Sequence, residues 1–325
     1  MAADGGTRAV VAALLANTGI AITKFIAFFL TGISSMLAEA IHSVADSGNQ
    51  LLLLLGGKKS RRAATAEHPF GYGRERYIYA FVVSIVLFSV GGLFALYEGF
   101  HKFREIHSGH HEDPGKWWWV PLVVLTIAMV LESLSLRTAM IDVNKVRGDA
   151  SYVHFVKRAK KPELPVILLE DLAALLGLVF AMLAVILSLL TDNYYFDAAG
   201  TVMIGALLVV VAVILALETK SLLLGEAASP EAQAHIVAAL SETPGIESVI
   251  HMKTLHLGPE ELLVAAKVSV ADGSTSVQIA AAIDAAEAAI RAAEPTARAI
   301  YLEPDIFRAD YLPPERPAPP VADAH

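Results

Sequence analysis

The stretch MLAEAIHSVADSGNQ, residues 36–50, carries a histidine and an aspartate inside an apolar run that covers residues 33–55. His42 and Asp46 are four residues apart, so a helix places both on the same face. A neutral imidazole and a carboxylate on one face are suitable ligands for a divalent metal ion. Because an ionisable side chain at the bilayer centre costs roughly 2.5–3.5 kcal/mol on insertion scales, the pair indicates a functional site inside a helix bundle. The alternative is a polar contact between two helices.

The composition is that of a polytopic membrane protein. Of the 325 residues, 55% are hydrophobic and only 18% are charged, and the mean hydropathy is +0.54. The chain has no cysteine, which excludes disulfides, thiolate metal sites and cysteine nucleophiles. The net charge of −8 argues against a nucleic-acid partner.

Six apolar runs are long enough to cross about 30 Å of hydrocarbon as helices. They lie near residues 8–30, 33–56, 77–100, 117–140, 164–190 and 196–219. Lysine and arginine concentrate in the loops after the second and fourth runs, whereas the turns at 31–34 and 191–197 contain neither. The positive-inside rule therefore predicts that both termini are cytoplasmic.

The composition changes after residue 225. Ser229 and Pro230 read as the N-cap and first position of a helix that runs to about Glu242. Strands are predicted at 247–257 and 261–271, a helix at 276–293 and a third strand at 297–302. This αββαβ order predicts a cytosolic α+β domain of ferredoxin-like type with an antiparallel sheet. The predicted domains are 1–225, a six-helix transmembrane domain, 226–306, the cytosolic domain, and 307–325, a Pro-rich disordered tail.

These features together resemble the cation diffusion facilitator family over residues 8–305. The most specific segments are residues 36–50 and HPFGYGRER, residues 68–76, and the run LLEDLAALLGL, residues 168–178, resembles the zinc-transporter-9-like branch. The resemblance implies a homodimeric transporter, not an enzyme, that exports divalent transition metal from the cytoplasm by alternating access in exchange for protons. It also implies that cytosolic domains form part of the dimer interface.

In this family the transport site takes two residues from the second span and two from the fifth. His42 and Asp46 match the first pair, and Asp171 matches the aspartate of the second pair. The remaining position falls on Ile167, which cannot ligate, and Glu170 is the nearby replacement. The predicted metal ligands are therefore His42, Asp46 and Asp171, with Glu170 or a water as the fourth. Adjacent helical residues point about 100° apart, so Glu170 and Asp171 cannot both aim at one ion without local distortion.

Polar residues around this site have alternative interpretations. Lys24 lies deep in the first run and either snorkels to the surface or pairs with an acid. Glu39 is either a relay or a simple helix contact, and Glu170 could pair with Lys24 or a neighbouring span instead of a metal. Ser43 and Asn49 are expected to be hydrogen-bond partners of the site rather than ligands.

One nitrogen and two or three carboxylate oxygens suit Zn²⁺ as the transported substrate, but also Mn²⁺, Fe²⁺, Co²⁺ or Ni²⁺. Protons compete for the same ligands, which makes them the expected counter-ion. The alternative is a transport-inactive metal-binding scaffold or sensor, which Ile167 favours. An intramembrane metalloenzyme would need an HExxH motif, which none of the predicted spans contains. A sodium–proton exchanger would favour a site made only of carboxylates, without His42. The alanine-rich composition indicates a bacterial inner membrane, with a mitochondrial membrane as the alternative.

The resemblance also bears on metal binding by the cytosolic domain. His251 matches one of the histidines that bind regulatory metal in some members. Other ligand positions fall near Lys267 and Tyr301, which are not metal ligands. We therefore expect a dimerising domain with weak or altered metal sensing.

Overall fold

The computed structural model describes residues 2–109 and 115–307, with side chains from residue 17 onward. Residues 308–325 of the predicted tail lie outside the described residues. The chain divides into two compact units, one formed by Met1–Glu226 with His256–Glu260 and the other by Ala227–Leu255 with Glu261–His325.

The first unit is helical. Its helices are α1 (Ala2–Thr31), α2 (Ser34–Lys59), α3 (Glu75–Val86), α4 (Phe94–His107), α5 (Val120–Arg147), α6 (Tyr152–Arg158), α7 (Glu163–Thr191) and α8 (Tyr195–Leu224). A π-helical segment, Leu87–Leu93, joins α3 to α4 without a break, and a short 3₁₀ turn, Gly115–Trp117, precedes α5.

Four helical stretches in the described part of the chain are long and apolar enough to cross a membrane. They are Glu75–His107, Val120–Arg147, Glu163–Thr191 and Tyr195–Leu224, and they match the last four predicted spans. The first two predicted spans form α1 and α2. The apolar part of α1 found among the described side chains, Asn17–Thr31, is shorter than a span, and α2 is interrupted by its own charged residues. Spans one and two thus stay predictions.

Helix α8 packs closely against α4 and α7 through glycines. A Cβ atom on Gly200 would lie 2.4 Å from the Cβ of Ala184 on α7, and one on Gly99 would lie 2.7 Å from Val202. Gly205 approaches the backbone of Leu96 in the same way. Small residues let helix backbones approach closely, which replaces the hydrophobic driving force that lipid cannot supply.

The C-terminal unit contains α9 (Pro230–Ser241), β1 (Ser248–Gly258), β2 (Glu261–Ser269), α10 (Ser276–Ala293) and β3 (Ala297–Asp305). This is the predicted order of elements. Ser229 caps α9 by accepting a hydrogen bond from the Ala232 backbone N–H, as predicted. A capping box formed by Thr275 and Gln278 begins α10.

The sheet has the strand order β1-β2-β3, and β2 pairs with β3 in parallel. The prediction of an antiparallel sheet is therefore wrong for this pair. Parallel neighbours need a crossover connection of a dozen or more residues, and the 18 residues of α10 provide it. The ferredoxin-like type of the domain stays a prediction.

Lys267 of β2 bridges two acids of the parallel neighbour β3. Its Nζ lies 2.9 Å from Glu303 Oε1 and 2.9 Å from Asp305 Oδ2. Hydrogen bonds to Glu303 and then to Asp305 raise the pKa of Lys267, so it remains a cation. This position near β3 thus carries an ammonium group that neutralises both carboxylates.

The contact between α7 and α8 predicts that Gly200→Ala destabilises the protein. The added methyl group meets Ala184, and overpacking of this kind costs roughly 1–3 kcal/mol. We expect a lower melting temperature in detergent, measured by fluorescence-detected size-exclusion chromatography of heated samples. Gly57→Ala is the matched control, because a Cβ atom there meets nothing within 4 Å. Equal melting temperatures for the two variants would contradict the packing.

Candidate metal centre

The start of α2 is held by a carboxylate from α8. Ile33, the residue before the helix, provides no side-chain cap. Instead Asp197 Oδ2 accepts hydrogen bonds from the backbone N–H and the hydroxyl of Ser34, both at 2.9 Å. Asp197 Oδ1 accepts from the Ser35 N–H at 3.2 Å and from its hydroxyl at 2.6 Å. An anion at this end also suits the helix dipole, so Asp197 fixes where α2 begins relative to α8.

Two turns further along α2, His42 and Asp46 lie side by side. The His42 side chain is 1% exposed, and its Nε2 lies 3.5 Å from Asp46 Oδ2. Neither ring nitrogen of His42 hydrogen-bonds to a described residue, and neither does Asp46 Oδ1. Buried polar atoms nearly always have partners. These unpartnered atoms form a polar position that a bound cation would satisfy.

An ion pair lies one turn before His42. Lys24 of α1 is 1% exposed, and its Nζ donates to Glu39 Oε2 at 2.9 Å and to Ser43 Oγ at 2.8 Å. The sequence predicts that Lys24 either snorkels to the surface or pairs with an acid. The structure shows the pairing, and the acid is Glu39. Glu39 Oε1 packs against α7 where Gly177 leaves room for it, since a Cβ atom there would lie 2.8 Å away.

The adjacent acids of α7 point to different helices. Asn49 of α2 donates from Nδ2 to Glu170 Oε1 at 2.7 Å, so Glu170 faces the helix that carries His42 and Asp46. Asp171 instead accepts a hydrogen bond from the Ser135 hydroxyl of α5 at 2.8 Å. This divergence follows from the rotation of about 100° between consecutive helical residues.

The four predicted ligands do not form one coordination sphere here. Within the described residues, no group of three or more His, Asp or Glu side chains has a geometry that could hold a metal ion. His42 and Asp46 share α2, Glu170 faces them, and Asp171 is turned toward α5. Ile167 packs among apolar residues of the bundle and contributes no polar atom.

Sequence reasoning missed two buried acids. Glu132 of α5 is 9% exposed and interacts electrostatically with Lys24 and Asp171. Its signal was available, because an acid inside an apolar run is a functional candidate by default. Asp197 falls in the turn predicted at 191–197, where an acid is ordinary, and only the fold reveals that it lies in the first turn of α8 and caps α2.

The interior of the bundle is therefore rich in carboxylates. Acidic groups from three helices lie there together with a lysine that pairs with Glu39 and a histidine that lies beside Asp46: Glu39, Asp46, Glu132, Glu170, Asp171, Lys24 and His42. An apolar surrounding strengthens the field of such a group and attracts cations. Carboxylate oxygens and an imidazole are the kinds of atoms that bind divalent transition metals in proteins.

The comparisons with known proteins agree with this chemistry. The model of the cation efflux transmembrane domain matches residues 10–224. The chain is 30% identical over 259 residues to the human protein named proton-coupled zinc antiporter SLC30A9, mitochondrial, covering 78% of this chain and 44% of that protein. It is 28% identical over 254 residues to metal tolerance protein C4 of Arabidopsis thaliana, covering 78% of this chain and 54% of that protein. The chain thus spans about half the length of these relatives.

The solved C-terminal domain of MamM is 21% identical to this chain, with a TM-score of 0.23, and the likeness covers 23% of this chain and 95% of that domain. This score is too low to support an argument about the fold. The family match, by contrast, takes in α2 with His42 and Asp46 and all four apolar spans. The chain is a multi-pass membrane protein and belongs to the cation diffusion facilitator, or cation efflux, family, in its zinc-transporter-9-like branch.

Proposed function

We propose that the protein is a proton-coupled exporter of divalent transition-metal cations, with zinc as the substrate. The observation that carries the proposal is the His42–Asp46 pair, in which both ring nitrogens of His42 and Oδ1 of Asp46 lack hydrogen-bond partners among the described residues. The name of the human relative, a proton-coupled zinc antiporter, supports the same substrate and coupling.

In this proposal His42, Asp46 and Glu170 bind the ion first. Imidazole nitrogen and carboxylate oxygens are normal ligands of four-coordinate Zn²⁺. Glu170 is already directed toward α2 by Asn49, which acts as its positioning residue. A rotation of α7 that takes Asp171 away from Ser135 would bring Asp171 to the ion in place of Glu170, with a water as the fourth ligand. The exchange provides two ligand sets for the two states of alternating access.

Proton coupling follows from the ligands themselves. A neutral imidazole and ionised carboxylates bind the metal, so each proton that they accept opposes metal binding. Protons that enter from the far side therefore favour release there, and their loss on the cytoplasmic side favours loading. The buried Lys24–Glu39 pair stays outside the proposed ligand set, because the ammonium group of Lys24 already offsets the charge of the Glu39 carboxylate.

The remaining parts of the assignment are proposals of the same kind. We place α1 and α2 as the first two of six spans, both termini in the cytoplasm and the protein in an inner membrane of bacterial type. Residues 1–225 would form the transport domain and residues 226–306 the cytosolic domain of a homodimer. Lys267 neutralises two acids of β3, which supports a cytosolic domain with weak metal sensing.

A transport-inactive scaffold of the same fold is the second candidate. Two observations favour it: Ile167 is part of the apolar packing, and the described residues hold no preformed cluster of three ligands. Such a scaffold would bind metal through His42 and Asp46 but would not move it. Measuring the transport of zinc, manganese, iron, cobalt and nickel into proteoliposomes separates the two candidates. The absence of flux for all five ions would support the scaffold.

Asp46→Ala is expected to reduce zinc flux into proteoliposomes at least tenfold, because it removes a ligand and leaves His42 without its neighbour. The measurement is zinc uptake reported by an internal fluorescent chelator under an imposed pH gradient. Asp142→Asn is the matched control and should transport normally, since the Asp142 side chain is half exposed and its ion pair among the described residues is with Lys145, its neighbour on α5. Unchanged flux in Asp46→Ala would refute the proposed site.

Glu170→Gln and Asp171→Asn distinguish the two acids of α7. Glu170 faces α2 and Asp171 does not, so Glu170→Gln should weaken zinc binding more, by roughly 10–100-fold in affinity. Asp171→Asn should bind zinc nearly normally but lose flux, because it removes the second ligand set. Isothermal titration in detergent and flux in proteoliposomes give the two readouts. The opposite order of affinities would mean that Asp171 is the primary ligand.

Zinc flux is expected to depend on the pH gradient with a definite sign. Acidifying the side that receives zinc should accelerate transport, because protons displace the ion from its ligands there. Acidifying the side from which zinc is taken should slow it, because protonated ligands bind the ion poorly. A rate of zinc flux that is the same in both gradients would exclude proton exchange.

A further inference from the structure

Helix α6 is a short helix between two apolar spans. Residues 148–151 connect it to the end of α5, and residues 159–162 connect it to the start of α7. Connections of this length extend less than about 20 Å, so α6 must lie close to the ends of both spans. The predicted spans end near residue 140 and begin again near residue 164, and α6 packs against Ala139 and Val143 of α5. This contact places α6 near the predicted boundary between the hydrocarbon and the water.

One face of α6 is attached to the bundle. Ser151 caps the helix by accepting a hydrogen bond from the His154 N–H. The Tyr152 hydroxyl donates to Asn144 of α5 at 3.0 Å, and the Arg147 guanidinium lies 4.6 Å from the centroid of the Tyr152 ring. Three apolar side chains of α6 pack with residues of α5 and α7: Tyr152, Phe155 and Val156 against Ala139, Val143 and Leu168.

The opposite face of α6 is apolar and cationic. We define the α6 surface as Val153, His154, Lys157 and Arg158, all of which are exposed, with Val153 at 67%. Val153 and Lys157 are four residues apart, as are His154 and Arg158, so they form two adjacent rows. Among the described residues, no Asp or Glu forms an ion pair with Lys157 or Arg158. Nearby lysines differ, since Lys160 pairs with Glu226.

We propose that the α6 surface binds the headgroups of anionic phospholipids. Lys157 and Arg158 would contact lipid phosphates, which the planar guanidinium recognises through two parallel hydrogen bonds. Val153 would enter the boundary of the acyl chains, as the apolar residues of interfacial helices do. Charge complementarity favours this occupant, because two exposed cations that form no ion pair with a described acid lie near the ends of two predicted spans, where lipid headgroups begin.

The attachment of α6 also connects this surface to the metal centre. Leu168, which belongs to the apolar cluster that Phe155 packs against, lies two residues before Glu170 on α7. Lipid contacts at α6 thereby restrain the part of α7 that carries both candidate ligands. The lipid proposal itself does not rest on metal transport, since its measurement detects lipid alone.

The test uses the full chain in proteoliposomes that contain phosphatidylcholine with added phosphatidylglycerol. Electron paramagnetic resonance of spin-labelled lipids measures the fraction of each lipid that the protein immobilises. We expect wild type to prefer labelled phosphatidylglycerol over phosphatidylcholine. In K157Q/R158Q the preference should fall about fivefold for each charge removed, the equivalent of about 1 kcal/mol per charge. It should also fall in high salt.

The matched control is K253Q/R298Q, which removes one lysine and one arginine from exposed positions of the C-terminal unit. This control should keep the wild-type preference. An unchanged preference in K157Q/R158Q, or an equal loss in the control, would overturn the proposal. Inorganic phosphate added to wild type should leave the preference intact. If phosphate abolishes it, the surface binds free phosphate and the lipid proposal fails. Both variants should elute as wild type does in size-exclusion chromatography.

Discussion

Charged side chains inside an apolar bundle need partners within the bundle, because lipid offers none. This constraint determines how α2 is held on three sides. Asp197 of α8 caps its first turn, Lys24 of α1 pairs with Glu39 in the middle, and Glu170 of α7 accepts a hydrogen bond from Asn49 further along. Each contact joins polar groups that would be costly alone. Together they set the height of α2 and the direction in which His42 and Asp46 face.

Because buried polar groups need partners within the bundle, those that have none indicate where a ligand could bind. Most buried polar groups of the bundle have partners, whereas the His42 ring nitrogens and Asp46 Oδ1 have none among the described residues. Glu39 Oε1 and Asn49 Oδ1 of the same helix also lack partners, and buried polar atoms of this kind cost stability, a cost that is usually retained for function. The proposed zinc export is consistent with this cost, since a cation would satisfy the His42 and Asp46 atoms and offset the excess of buried acids.

Two cationic features complement this acidic interior. Lys267 neutralises two acids on the sheet of the C-terminal unit, while Lys157 and Arg158 face outward from α6. The first is satisfied within the protein, and the second is available to the lipid headgroups that we propose. Apolar side chains of α6 share a cluster with Leu168, which lies two residues before Glu170, so the proposed lipid surface and the proposed metal site are connected through α7.

The sequence by itself determined the features that depend on neighbours along the chain. These are the shared face of His42 and Asp46, the apolar spans from residue 75 onward, the Ser229 cap, and the order of elements in the C-terminal unit, all of which follow from helical or strand periodicity. Only the tertiary structure decided which elements meet. It paired Lys24 with Glu39, brought Asp197 to a helix 163 positions earlier in the chain, directed Glu170 and Asp171 to different helices, and made β2 and β3 parallel. Periodicity tells which face a residue is on, but the partner of that face depends on how distant helices and strands pack.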